Sequence, residues 1–380
     1  MKIPFHKPYS TGNEVDYINS AISSGHLSGN GIFTKKNQQF LQAKYGYKKA
    51  FLTTSCTDAL EMSAMLLDIA PGDEVIIPSF TFVSTALAFV RQGANIIFAD
   101  SSQENPNIDI TKLEKLITPR TRAIVVVHYA GISCQMDEIM EIANKFNLYV
   151  VEDAAQAIDA YYKGRVLGGI GHLGCISFHE TKNIHCGEGG CLIINDEKFI
   201  KRAEILWEKG TNRADFFRGE INKYGWVDIG SSFLPSELNA AFLLAQLEKL
   251  DEIQTKRKMI YNHYYESLKE LEENELVSVQ KIPEYATNNG HMFYLICKSE
   301  IERGDLISYL KGNEIYSVFH YQSLHQSTYY KNKYSGNPLP MSDLYTDRLL
   351  RLPMYYALEK SDIEKVSTLI KKFYYQKRQS

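Results

Sequence analysis

Ala123-Ile124-Val125-Val126-Val127, then Met136 to Phe146, then Leu148-Tyr149-Val150-Val151-Glu152-Asp153 are the stretches whose reading decides the fold. The first and third are short apolar runs, and the segment between them is amphipathic at the helical period. Strands that are apolar throughout have both faces covered, which is the signature of a parallel sheet with helices on each side. The same alternation continues outward. Val75-Ile76-Ile77 is followed by a helix over Ser84 to Arg91, and Ile96-Ile97-Phe98-Ala99 by one around Ile110 to Ile117. Downstream, Cys175 to Phe178 and Cys191 to Ile194 read as strands joined by Gly187-Glu188-Gly189-Gly190. A long helical stretch runs from Pro235 to about Leu271. The pattern then changes, with strands at Met292 to Cys297 and Tyr316 to Phe319, and helices at Leu306 to Leu310 and Ser361 to Phe373. The expected architecture is α/β, with a large, mainly parallel-sheet domain over 1–250 and a smaller α+β domain over 251–380.

Composition narrows the function. The chain has 380 residues, 44% hydrophobic and 23% charged, enough to form a substantial core. The net charge of −3 argues against nucleic acid or an anionic membrane as the main partner. No apolar run is long enough to span a bilayer, and Met1 to Pro8 lacks the apolar core of a secretion signal. The six cysteines show no CxxC spacing, so the expectation is a reduced, cytoplasmic chain without a metal site; His185 beside Cys186 is a weak exception.

In parallel sheets, ligands sit outside the carboxyl ends of the strands. Asp153 ends one such strand, where it either caps the next element or meets a protonated ring nitrogen. Lys182, in Ser177-Phe178-His179-Glu180-Thr181-Lys182-Asn183, follows another strand and has no amphipathic helix around it. A desolvated lysine condenses with carbonyls as a Schiff base. With an Asp at a ring nitrogen, it meets the needs of pyridoxal 5′-phosphate. Phe51 to Leu60 reads as a strand, a hydroxyl-rich turn (Ser55-Cys56-Thr57) and a helix start; that is either an anion cradle or ordinary capping. Phe82, after Pro78-Ser79-Phe80-Thr81, is placed to stack on a flat cofactor or to fill the core.

Taken together, these motifs resemble the DegT/DnrJ/EryC1/StrS sugar-nucleotide aminotransferases, fold type I pyridoxal phosphate enzymes, from about Ile3 to Phe373. The matching elements are Thr57-Asp58-Ala59-Leu60, Pro78 to Phe82, Glu152-Asp153-Ala154-Ala155-Gln156 and Ser177 to Lys182. The resemblance implies that Lys182 carries the Schiff base and Asp153 holds the pyridinium nitrogen. It gives Gln156 to the phenolic oxygen, Phe82 to the ring face, and Cys56, Thr57 and Ser177 to the phosphate. Ser177 to Asn183, Glu208 to Arg213 and Asp228 to Ser232 are most similar to the branch that makes dTDP-4-amino-4,6-dideoxygalactose for enterobacterial common antigen. That implies a dTDP-ketosugar and L-glutamate as substrates. Most of the family has Asn where this chain has Ser232, and that Asn reaches the cofactor phosphate of a neighbouring subunit, so a homodimer is implied. His320, Tyr321, His325 and Arg213, with Lys209, Asn212 and the Gly25 to Gly29 segment, are substrate-contact candidates. Two rivals are a sugar dehydratase, which by resemblance replaces the lysine with histidine, and a non-catalytic regulator. Amination at C3 is the nearest alternative within the class.

Overall fold

A computed structural model describes residues 2–377. Met1 and residues 378–380, at the outer ends of the two expected spans, lie outside the described residues. The central sheet contains β1 (Lys49–Thr53), β2 (Glu74–Pro78), β3 (Asn95–Ala99), β4 (Thr121–Val127), β5 (Tyr149–Asp153), β6 (Leu173–Ser177) and β7 (Gly190–Ile194). Their order is β1-β7-β6-β5-β4-β2-β3. The pairs from β6 to β3 are parallel, and β7 alone runs against both of its neighbours. The carboxyl ends of β1, β2, β4, β5 and β6 therefore open on one edge. This is the α/β fold type I arrangement.

Successive strand residues point to opposite faces, and this divides the apolar runs between two cores. Ala50, Leu52, Ile76, Ile124, Val126 and Val150 face one side, against α2 (Ile32–Tyr45), α5 (Met136–Phe146) and α8 (Glu237–Glu248). Phe51, Val75, Ile77, Val125 and Val151 face the other, against α3 (Cys56–Leu66), α4 (Val83–Arg91) and α6 (Ile200–Trp207). Helix α1 (Glu14–Ser23) packs on α8, and α7 (Arg213–Phe217) is a short surface helix.

A third core gathers α9 (Leu250–Glu273), α10 (Glu300–Gly312), α12 (Lys360–Lys377) and a three-stranded antiparallel sheet. That sheet is β8 (Ser278–Val279), β9 (Tyr294–Ile296) and β10 (Leu349–Arg351); α11 (Pro340–Arg348) leads into β10. Ile3 packs into this third core and pairs with Ile315.

Three elements differ from the sequence expectation. The 235–271 stretch is two helices broken at Lys249. α8 buries Ala240 to Leu247 in the first core, α9 buries Ile260, Tyr264 and Leu268 in the third, and one straight rod cannot face both. Residues 316–319 do not form a strand. Tyr316 donates to Ile3, and Val318 then exchanges hydrogen bonds of 3.1 and 2.8 Å with Arg351, so the backbone changes partner within two residues. Ile110–Leu116 is a 3-10 helix, started by the Asp109 side chain accepting from the Thr111 N–H.

Candidate active site

The strand ends surround a cleft of about 800 Å³ that brings together Cys56, Thr57, Phe82, Asp153, Gln156, Ser177, Lys182, His320 and Tyr321. Ser55 caps α3 by accepting from the Asp58 N–H at 3.1 Å. The N–H groups of Cys56 and Thr57 lie in the first helical turn, where no intrahelical acceptor exists. Thr57 Oγ1 lies 2.8 Å from Ser84 Oγ. Gly190 is what lets this turn sit against the start of β7: a Cβ there would lie 2.3 Å from the Ser55 carbonyl carbon and 2.4 Å from the Cys56 nitrogen.

Asp153 and Glu152 diverge, as neighbours on a strand must. Glu152 is fully buried away from the cleft, accepting from His128 Nε2 at 2.9 Å and from the N–H groups of Gly168, Ile170 and Gly171. His128 Nδ1 accepts from the Cys134 N–H, so the ring carries its proton on Nε2 and donates it to Glu152. Asp153 faces the cleft. Its Oδ2 accepts from Thr85 Oγ1 at 2.7 Å and its Oδ1 from the Ala155 N–H at 3.1 Å. Burial pushes the Asp153 carboxyl above its usual range, and the Thr85 and Ala155 donors and the Lys182 charge pull against that.

Lys182 closes a turn after β6 in which its N–H donates to His179. Burial lowers the proton affinity of its amine, opposed by Cys56 and Asp153 and reinforced by the Arg351 charge. Among the described residues its Nζ makes no hydrogen bond or ion pair. Phe82 precedes α4 with its ring 55% exposed, uncovered on the cleft side and 6.1 Å from Tyr321. Gln156 is held at both ends, accepting from the Ala130 N–H at 2.6 Å and donating to Tyr321 Oη at 2.9 Å. Tyr321 stacks on His320 at 3.5 Å. Burial holds His320 well below its usual titration range, and its Nδ1 lies 2.5 Å from Tyr129 Oη.

Other candidates fall outside the cleft. His325, a substrate candidate from the sequence, is buried and not part of the cleft lining, with Nδ1 2.7 Å from Ser79 Oγ and its ring 5.0 Å from that of Tyr334. Arg213 sits on α7, 3.9 Å from Glu208 and 5.0 Å from the Phe217 ring. Asn212 accepts from Gly225, Ser232 is exposed and paired with Glu208, and His26 contacts its own turn. His185 bonds the Tyr9 carbonyl, and no cluster of three metal-ligating side chains exists among the described residues. The residues that sequence reading missed are Thr85, which donates to Asp153, and His291 and Arg351, which line the cleft, His291 with its Nδ1 2.9 Å from Asn183 Oδ1. Thr85 was legible in principle, one helical turn beyond Phe82; Arg351, ending a three-residue strand, carried no signal.

The sequence pattern of the DegT/DnrJ/EryC1/StrS aminotransferase family matches residues 8–371. The chain belongs to that family. It is 32% identical, over 96% of its length and 95% of the relative, to the spore coat polysaccharide biosynthesis protein SpsC of Bacillus subtilis. Two solved structures share the fold at comparable cover. A DegT/DnrJ/EryC1/StrS aminotransferase from Brucella abortus is 29% identical, with TM-score 0.86 over 95% of each chain. The PLP-form of a sugar aminotransferase, Spr1654 of Streptococcus pneumoniae, is 25% identical, with TM-score 0.88 over 98% of this chain and 100% of that one. The protein is thus a sugar aminotransferase, and its cofactor is pyridoxal 5′-phosphate. The cleft suits that group. It offers the open N–H groups of a helix start, a glycine where a Cβ would block them, a buried carboxylate and an amine without a partner among the described residues.

Proposed function

We propose that the enzyme transfers the amino group of L-glutamate to dTDP-4-dehydro-6-deoxy-D-glucose, giving dTDP-4-amino-4,6-dideoxy-D-galactose and 2-oxoglutarate. The observation that carries this reading is the convergence of Lys182, Asp153 and the first turn of α3 on one cleft walled by His320 and Tyr321. The choice of sugar and of C4 is supported by the likeness of Ser177 to Asn183, Glu208 to Arg213 and Asp228 to Ser232 to the branch that forms this aminosugar.

When bound, the cofactor supplies the electron sink that lets an amino acid's α-carbon give up its proton. Lys182 Nζ takes that proton and later returns one, a role suited to an amine whose ammonium form is disfavoured by burial. Asp153, with Thr85 and Ala155 donating to it, would hold the cofactor's ring nitrogen and favour its protonated form. Cys56, Thr57 and Ser177 would hold the phosphate, and Phe82 and Gln156 would hold the ring. His320 and Tyr321 face the sugar. Ser232 and Arg213 lie on the 211–234 segment, which also exposes Trp226, Val227 and Ile229; we assign that segment to a second copy in a homodimer.

The deciding experiment is NMR of the product formed from the dTDP-4-ketosugar and L-glutamate. An axial amine at C4 is expected, and a 3-amino or 3-deoxy product overturns the reading. Lys182→Ala should give no turnover; near-normal amination by that variant would remove Lys182 from its role.

A further inference from the structure

Arg351 ends β10 on the wall of the cleft. Its backbone is fixed on two sides, by pairing with Tyr294 and by the two hydrogen bonds exchanged with Val318. Its side chain is poorly satisfied. The guanidinium lies over the Phe5 ring at 4.8 Å, Nη2 makes one long hydrogen bond to the Phe319 carbonyl at 3.3 Å, and the buried Nε has no acceptor. Among the described residues no carboxylate lies within ion-pair reach of it. Of the acids lining the cleft, Asp153 is already engaged by Thr85 and Ala155, and Glu188 approaches His179 instead. A largely buried cation with an open fork is costly, and an anion in the cleft would offset that cost.

Two anions are available within the proposed reaction: a carboxylate of the amino donor and the diphosphate of the sugar nucleotide. Arg351 lines the same cleft as Lys182 and His320, which places it near the reacting centre. An α-carboxylate is one bond from the carbon whose proton Lys182 moves, whereas the diphosphate is a sugar ring away from C4. The planar fork of an arginine also matches a carboxylate in two parallel hydrogen bonds.

We infer that Arg351 seats the α-carboxylate of the amino donor and so selects α-amino acids for the first half of the reaction. This rests on the transaminase reading, and the test separates the two. The holoenzyme is mixed with L-glutamate alone, and loss of the cofactor's visible absorption band is followed. The aminated enzyme is then mixed with the ketosugar alone. Arg351→Gln should weaken apparent glutamate binding about a hundredfold and change the ketosugar half by less than about threefold. Arg351→Lys, which keeps the charge but not the fork and covers a Gln variant that fails to fold, should lose about tenfold. With 4-aminobutyrate, which lacks the α-carboxylate, the wild type should react poorly and Arg351→Gln should cause no further loss. Glutarate should raise the Tm of the wild-type holoenzyme but not of Arg351→Gln, a readout independent of turnover. A wild type inert to all amino acids defeats the transaminase reading. A wild type that reacts while Arg351→Gln matches it, or loses only the ketosugar half, defeats the Arg351 inference.

Discussion

Asp153 shows how one hydroxyl sets the state of a functional side chain. Burial favours its neutral form, and the Thr85 hydrogen bond at 2.7 Å favours the charged one. Thr85→Val keeps the shape and removes the donor, so the Asp153 carboxyl titrates higher. The sign follows: less Asp153 is ionised at a given pH, and the acid limb of the glutamate half-reaction moves upward by about one pH unit. A pH profile of that step checks it, and an unmoved limb would show that Thr85 only fills space. The lesson for sequence reading is specific to such residues. Asp153 was legible because it ends a buried strand and Lys182 because it lies in the turn that follows one, whereas Thr85 matters only because α4 turns it toward an acid 68 residues away.

Elements hold the site through contacts made where chain segments meet. Gly190 is the clearest: a Cβ there overlaps the backbone at Ser55 and Cys56, so Gly190→Ala must push α3 away from β7. Cofactor affinity should fall at least about tenfold, with overpacking costing about 1–3 kcal/mol of stability. Equilibrium binding to the apoenzyme measures the first, and unchanged affinity would mean the phosphate sits elsewhere. Glu14 plays the corresponding part for α1. Burial would raise its carboxyl, but donors at Thr11, Ser10 and Gln246 outweigh that and hold it at about 2. A depressed carboxyl stabilises the fold above its unfolded value near 4.5 and loses that contribution as pH falls through about 2. Glu14→Gln should therefore cost about 2 kcal/mol at neutral pH, with the gap to wild type closing toward pH 2. Urea midpoints across that range are the check, and a gap independent of pH would exclude the linkage.

At the scale of the molecule, the 211–234 segment proposed above to meet a second copy exposes large apolar side chains. Trp226 is 84% exposed and Phe217 68%, with Val227 and Ile229 half-exposed beside them. Exposed apolar side chains of this size are what the proposed dimer contact would cover. Trp226→Glu should convert a dimer to monomer in sedimentation velocity, and activity should fall with it because Ser232 lies on the same segment. A wild type that sediments as a monomer at micromolar concentration would refute the homodimer and leave Ser232 without a role.

The order of apolar runs and helical periods, read alone, determined the parallel sheet and the edge on which the chemistry lies, because burial on two faces writes itself into consecutive residues. It also singled out Lys182, Asp153, Thr57 and Phe82, each within a few residues of a strand end. Family resemblance alone suggested His325 for the substrate, and no pattern marked Arg351, since the cleft wall opposite the sheet is built from segments that share no period and meet only through long-range packing. Only the tertiary structure decided that Arg351 has no anionic partner among the described residues, that Thr85 serves Asp153, and that Glu152 turns its back on the cleft. Those are distances between residues far apart in sequence, and no local pattern encodes them.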